Sequence, residues 1–149
     1  MNIRHARIED FEALVQLMKQ FATTLEDGLE ARFQAVLEHP DHVVLIAEVT
    51  GELVGYATAQ GYGKRLRSGE ESVRLNDLLV SSQHRQHGIG RALLEAIKHW
   101  CNARGARYLE WQSSSGGIGF YEKLGLKPQA PQLEYPFFEI DFQDILELP

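Results

Sequence analysis

Six residues near the middle of the chain, Arg85-Gln86-His87-Gly88-Ile89-Gly90, combine two glycines with cationic and amide side chains. They separate a segment patterned as a strand from one patterned as a helix. A helix N-terminus offers unpaired backbone N–H groups and the positive end of its dipole, which suits a pyrophosphate. Gly88 and Gly90 let phosphate oxygens approach the backbone with no Cβ in the way. Arg85 and Arg91 add formal charge that bare amides lack. The plainer alternative is a glycine-bearing loop that only starts a helix, and a lone G-x-G does not choose between them. The turn is not a Walker loop, because GK[ST] is absent, nor a dinucleotide fingerprint, because the third glycine is missing.

Other chemistry-bearing residue types are sparse. The histidines show no H-x-x-x-H spacing, so no metal is expected; His84 and His87 read as surface positions near the turn. Cys101 is the one cysteine. It excludes an intrachain disulfide, fits a reducing compartment and reads as a small core residue. Lys plus Arg number 15 against 21 Asp plus Glu, a formal charge of −6. That balance argues against nucleic-acid binding, which rests on basic patches that neutralise phosphates, and mildly favours a cationic partner such as an amine. No apolar run approaches the roughly 20 residues that cross a membrane, and MNIRHARIED lacks the apolar core of a secretory signal. A cytoplasmic protein is expected.

The elements that must position these residues follow from hydrophobic period. Asn2 to Arg7 reads as a strand. From Glu9, Phe11, Leu14, Val15 and Met18 recur at helical spacing. A second helix is expected from Asp27, where Asp27 and Glu30 have capping-box spacing, until His39-Pro40-Asp41 stops it. His42 to Val49 and Leu53 to Gln60 form a hairpin about Thr50-Gly51-Glu52. Gly61 to Glu71 reads as a polar loop, and Gly63 to Glu71 as an acceptor lid next to the reactive strand. Val73 to Val80 is a strand, Arg91 to Arg104 a helix ended by Gly105, and Arg107 to Gln112 a strand. The short helix GFYEKL follows Ser113 to Gly117, and strands around Leu126 to Gln129 and Pro136 to Phe142 finish the chain. With no repeat or linker among its 149 residues, the chain reads as a single domain, 1–149. The fold class is α+β: a mixed, mostly antiparallel sheet with a central parallel β-α-β unit.

The run LNDLLVSSQHRQHGIGRALLEAI, Leu75 to Ile97, resembles the central motif of the GNAT superfamily of N-acetyltransferases. That motif is a strand ending in apolar-x-Val, a polar link, then [QR]-x-x-G-x-[GA] opening a helix with a Leu-Leu pair. Gly119 to Leu126, GFYEKLGL, resembles the family's second mark, F-Y-x-x-x-G-[FL]. Element order matches along the whole chain.

The resemblance implies an acetyl-CoA-dependent acyltransferase. Coenzyme A pyrophosphate would sit on the backbone amides of Gln86, His87, Gly88, Ile89, Gly90 and Arg91, with Arg85 alongside. The pantetheine arm would pair like a strand with Leu78, Leu79 and Val80, and the Val80 N–H would stabilise the oxyanion. Tyr121 matches the tyrosine that protonates the departing thiolate; its plain reading is a core aromatic beside Ile118 and Leu124. Ser114 stands where many relatives carry an asparagine that contacts the pantetheine arm, so this contact is either substituted by the hydroxyl or lost.

The acceptor side is less specified. An alkylammonium with a pKa of about 10.4 is about 0.04% neutral at pH 7, and only the neutral amine attacks a thioester. A proton acceptor is therefore needed. Asp77 leads, since some relatives carry Glu-Asp before an apolar-aromatic-Val run; here Asn76 replaces the glutamate. Glu110 is the second candidate, and both equally read as solvent-facing strand carboxylates. Trp111 reads as pocket lining or core. The expected acceptor is a small amine or a protein amine, with no nucleic acid and no membrane partner; a homodimer is left open. The competing class is a non-catalytic acyl-CoA sensor or partner-binding domain of the same fold.

Overall fold

The computed structural model describes residues 1–22 and 24–129. They fall in two compact units, Met1–Gln112 and a second beginning at Ser113.

The first unit is built on five strands: β1 (Asn2–His5), β2 (His42–Val49), β3 (Glu52–Lys64), β4 (Glu71–Val80) and β5 (Tyr108–Glu110). They lie side by side in chain order. Each of the first three pairs is antiparallel, whereas β4 and β5 are parallel. The parallel pair is joined through α3 (Ile89–Ala103), which confirms the expected β-α-β unit.

Helices cover both faces of the sheet, and alternation assigns the strand residues between them. On one face Leu14 and Leu17 of α1 (Phe11–Met18) and Phe33 of α2 (Leu29–Glu38) pack on Val44, Ile46 and Tyr56. On the other, Gly55 lies under Ile89 and Leu93 of α3. β2 is thus buried on both sides from Val43 to Ala47. This explains why its sequence is a continuous apolar run rather than an alternation. α3 buries Ile89, Leu93, Leu94, Ile97 and Cys101 on one stripe, so Cys101 is the core residue expected of it.

Element boundaries differ from the sequence reading in instructive ways. β1 stops at His5 because Asp10 accepts the Arg7 N–H at 2.7 Å and starts a 3-10 turn at Ile8–Asp10, so α1 begins at Phe11. Gly28 in the left-handed region, not an Asp27 capping box, precedes α2. β3 continues to Lys64 and β4 starts at Glu71, so the loop shrinks to 65–70. That turn lies at the opposite end of β4 from Val80, about 30 Å away at 3.3 Å per residue, so it does not cover the strand end beside which the acceptor lid was expected. Helix α3 starts at Ile89, two residues earlier than periodicity suggested, because Gly88 supplies the left-handed N-cap. β5 keeps only three residues.

A charged clasp holds one end of this unit together. The Arg104 guanidinium, stacked over Trp100, binds Asp41 at 2.5 Å and the buried Glu71 at 2.7 Å. It ties the end of α3 to the starts of β2 and β4.

In the second unit, a 3-10 turn at Ser115–Gly117 leads into α4 (Ile118–Lys123), which Gly125 terminates in the left-handed region. Residues 126–129 carry no strand: a strand is defined by its pairing, and they have no ladder partner among the described residues. The expected strand Pro136 to Phe142 lies outside the described residues.

Candidate functional site

The glycine turn adopts a conformation its sequence only partly announces. Gln86 has φ +65° and Gly88 φ +80°. Left-handed residues interleaved with ordinary ones curl successive backbone N–H groups toward one side, an arrangement that favours anions. Gly88 is the N-cap of α3, and the first helical hydrogen bond runs from Ala92 N–H to the Gly88 carbonyl. The N–H groups of Ile89, Gly90 and Arg91 therefore have no acceptor within the helix. The glycine at 88 is required by its φ, since nothing lies within 4 Å of where its Cβ would stand. The Arg85 Nε donates to the Val80 carbonyl at 3.2 Å and the guanidinium lies 5.6 Å from the Phe21 ring centre. The His87 ring meets the Arg85 carbonyl at 2.7 Å. His87 is exposed and His84 partly so. Seven residues from Arg85 to Arg91 thus form a cationic cradle whose charge and backbone donors fit a pyrophosphate.

This cradle adjoins an incomplete strand. β5 pairs with β4 only at Ser72, Val73 and Arg74. Beyond that, among the described residues, β4 pairs with a strand on its β3 side alone. The Ser81 N–H donates to the Val54 carbonyl at 2.8 Å, which fixes the alternation of the ladder. With Val80 opposite Gly55 and Leu79 opposite Tyr56, Leu79 bonds to β3 while Val80 and Leu78 direct their N–H and C=O groups away from it. Among the described residues no strand pairs with this edge, although the Val80 carbonyl accepts from Arg85, and an edge of this kind is a template for an extended partner.

The register of β4 shifts by one residue between Thr58 and Ala59 of β3: Ala59 faces Leu75, and Thr58 faces Asp77. Asn76 is the extra residue, a β-bulge. Its effect is to place Leu75, buried, on the α3 face and Asp77 on the α1/α2 face beside Thr58. The Thr58 hydroxyl donates to the Asp77 carboxylate at 2.6 Å. Tyr56 neighbours both on that face. Burial and the Asp77 charge push its phenol pKa well above the ordinary tyrosine value, so it is a neutral hydroxyl at pH 7. Glu110 is exposed on β5, level with Arg74. Arg74 in turn faces Gln60, so Glu110 lies on the same face as Asp77 but three positions nearer the start of β4.

In the second unit, Ser114 precedes the 3-10 turn and its carbonyl accepts from the Gly117 N–H at 2.9 Å. Tyr121 is half-buried on α4, edge-on to Phe120 with ring centres 5.0 Å apart, and burial raises its pKa.

The sequence reading missed Thr58 and Tyr56, as well as the Arg85–Val80 contact. Thr58 and Tyr56 alternate correctly along β3, but their neighbourhood to Asp77 depends on a bulge that no residue pattern marks.

Residues 6–126 match the model of the acetyltransferase (GNAT) family. The chain is 35% identical over 144 residues to the uncharacterized N-acetyltransferase YhfO of Bacillus subtilis (strain 168), covering 91% of this chain and 95% of that one. It is 33% identical over 114 residues to aminoglycoside N(6')-acetyltransferase type 1 of Stenotrophomonas maltophilia, covering 72% and 71% respectively. Its fold resembles glucosamine-6-phosphate N-acetyltransferase from Arabidopsis thaliana, with a TM-score of 0.76 over 93% of this chain and 98% of that one at 23% identity. No helix among the described residues is long and apolar enough to cross a membrane. The family match over residues 6–126 and the 35% identity across 91% of the chain place it in the GNAT family as an N-acetyltransferase.

Proposed function

We propose that the protein transfers an acetyl group from acetyl-CoA to a primary amine by direct attack in a ternary complex, and that it does so in the cytoplasm. The observation that supports this reading is the edge of β4 at Leu78–Val80, which no strand pairs with among the described residues, followed closely by the backbone cradle at Gln86–Arg91. The cradle and Arg85 hold the pyrophosphate, and the strand edge pairs with the pantetheine arm; Ser114 supplies a hydroxyl where relatives carry an amide.

In this reading Asp77 takes a proton from the ammonium, directly or through a water. Glu110 is the second candidate for that role. The amine lone pair then forms the C–N bond to the thioester carbonyl carbon, and the Val80 N–H stabilises the oxyanion. Once the base has released the first proton to solvent it takes the second amine proton, the C–S bond breaks, and the thiolate takes a proton from Tyr121, whose phenolate is reprotonated from solvent. The products are the amide and free coenzyme A. The raised pKa of Tyr121 keeps the phenol protonated beforehand, as a proton donor must be.

The test has two parts. Acetyl-CoA at 100 times its dissociation constant should stabilise the fold by about 2.7 kcal/mol, with NAD and ATP doing much less. Free-thiol release on an amine panel should then show turnover, and Asp77→Asn should lower kcat most at neutral pH and least at alkaline pH, where the amine needs less help. Binding without turnover on any amine would favour the alternative of a non-catalytic acyl-CoA sensor. Absence of binding to both acetyl-CoA and coenzyme A would overturn the reading altogether.

A further inference from the structure

On the α1/α2 face of the sheet, next to Asp77, lies a cavity of about 210 Å³. Leu14, Val15 and Met18 of α1, Phe33 and Val36 of α2, and Thr58 of β3 line it. Thr58 is shared: it borders the cavity and its hydroxyl holds the Asp77 carboxylate at 2.6 Å. Val15, Val36 and Thr58 are only partly buried, so this apolar space is reachable from solvent.

From this juxtaposition we infer that the acceptor is a primary amine carrying a compact apolar substituent, an alkyl or aryl group of about five to eight carbons. The inference rests on the acetyl-transfer reading above and adds its substrate class. The charge at Asp77 suits an ammonium, and the neighbouring cavity suits what the ammonium is attached to. A cavity of about 150 Å³ with an apolar lining already accommodates benzene, so this one is large enough for a ring with a short linker. A phosphosugar or a polyhydroxylated amine would leave its hydroxyls against Leu14, Val15, Met18 and Phe33 without hydrogen-bond partners, at a substantial desolvation cost. Arg32 also borders the cavity, but it does not make a phosphate site of it. Its guanidinium donates to the Asp27 carbonyl at 2.5 Å and the Glu26 carbonyl at 3.1 Å, anchoring the chain before α2.

The experiment uses the full chain, acetyl-CoA and a graded series of amines: methyl-, ethyl-, propyl-, butyl- and hexylamine, benzylamine and phenethylamine. Glucosamine 6-phosphate and kanamycin are the polar comparators. kcat/KM should rise roughly fourfold per methylene until the cavity fills, the factor expected for burying each CH2. In Val15→Phe, which fills the cavity, the dependence on chain length should vanish and hexylamine should lose at least tenfold. A melt of that variant with acetyl-CoA checks its fold. If hexylamine gives no thiol, its affinity for the coenzyme A complex, measured by calorimetry, should show the same dependence on length. A flat series by both readouts, or tenfold preference for a polar comparator, overturns the apolar acceptor while leaving acetyl transfer standing. Failure to bind acetyl-CoA at all overturns the transfer reading instead.

Discussion

Gly55→Ala tests whether the seating of α3 on the sheet sets both stability and coenzyme binding. The backbone at Gly55 is not in the left-handed region, so alanine is conformationally allowed there. The obstacle is space. An added Cβ would lie 2.9 Å from the Leu79 carbonyl oxygen and 3.3 Å from both the Ile89 Cγ2 and the Leu93 Cδ1. Carbon atoms prefer about 3.5–4.0 Å, so β3 must shift against β4 at the Leu79 carbonyl, and Ile89 and Leu93, with α3, must give by a few tenths of an ångström. Overpacking of this kind costs about 1–3 kcal/mol, offset by about 0.4–1 kcal/mol from restricting the unfolded chain. The net loss should be about 1–2 kcal/mol, which for a chain of this size lowers Tm by about 2–8 °C. Because Ile89 opens α3, its neighbouring amides should shift as well, and acetyl-CoA affinity should fall several-fold. Thermal melts and titration calorimetry read the two effects. Gly119→Ala is the control: nothing lies within 4 Å of its Cβ position in α4, so helix propensity should make that change neutral or stabilising by up to about 1 kcal/mol. If Gly55→Ala melts at or above the parent temperature, the packing argument for how the cradle is positioned fails.

Gly88→Glu should abolish acetyl-CoA binding by setting a carboxylate in the phosphate cradle, and its φ of +80° adds a stability loss of about 1–2 kcal/mol. Gly88→Ala carries the same strain without the charge, so equal affinities in the two variants would show that the phosphates bind elsewhere. Tyr121→Phe should lower kcat, by up to the 10²–10⁴ typical of a lost general acid, with acetyl-CoA affinity nearly unchanged. A thiol pKa of about 8.5 makes the thiolate a tolerable leaving group, so the low end is expected; a kcat within twofold of the parent would assign Tyr121 to packing. Arg4 holds the carboxyls of Asp10 and Glu48 below their ordinary range through contacts of 2.8 and 2.7 Å. Carboxylates depressed in the folded state stabilise it fully above their unfolded pKa of about 4 and lose that contribution as pH falls through the folded value. Urea midpoints should therefore drop on acidification below about pH 4.5, and Arg4→Met should flatten that drop; an unchanged acid limb would refute the role of Arg4.

How much of this was legible in the sequence depended on whether local chemistry determined the feature. β2 was read to the residue because its apolar run ends between His39-Pro40-Asp41 and Thr50-Gly51, and both breaks are local. The glycine turn was located by Gly88 and Gly90, although the left-handed Gln86 was not foreseen: asparagine, aspartate and glycine advertise that conformation, glutamine does not. The second helix failed the other way. Asp27 and Glu30 have the spacing of a capping box, yet Gly28 takes the N-cap while the Asp27 and Glu26 carbonyls are held by Arg32. Features that rest on two strands at once were out of reach. The apolar cavity needs α1, α2 and β3 together, and β3 was read as ending at Gln60 because Gly61 and Gly63 suggested a loop that strand pairing overrides.

The face on which Asp77 stands is the clearest such case. Val73, Leu75 and Asp77 are spaced by two, so a regular strand would send all three side chains to the same side. Val73 and Leu75 are buried on the α3 side of the sheet, and an unpartnered carboxylate there would be expelled from the core at a cost of several kcal/mol. The extra residue Asn76 resolves the conflict. It leaves Leu75 opposite Ala59 and turns Asp77 to sit opposite Thr58, on the face where the hydroxyl donor and the apolar cavity are. The same bulge leaves the pairing beyond it regular, so Val80 still points its N–H away from β3 at the strand end. One inserted residue therefore separates two tasks that a plain strand could not combine: a buried anchor toward α3 and a carboxylate held by Thr58 beside the apolar cavity.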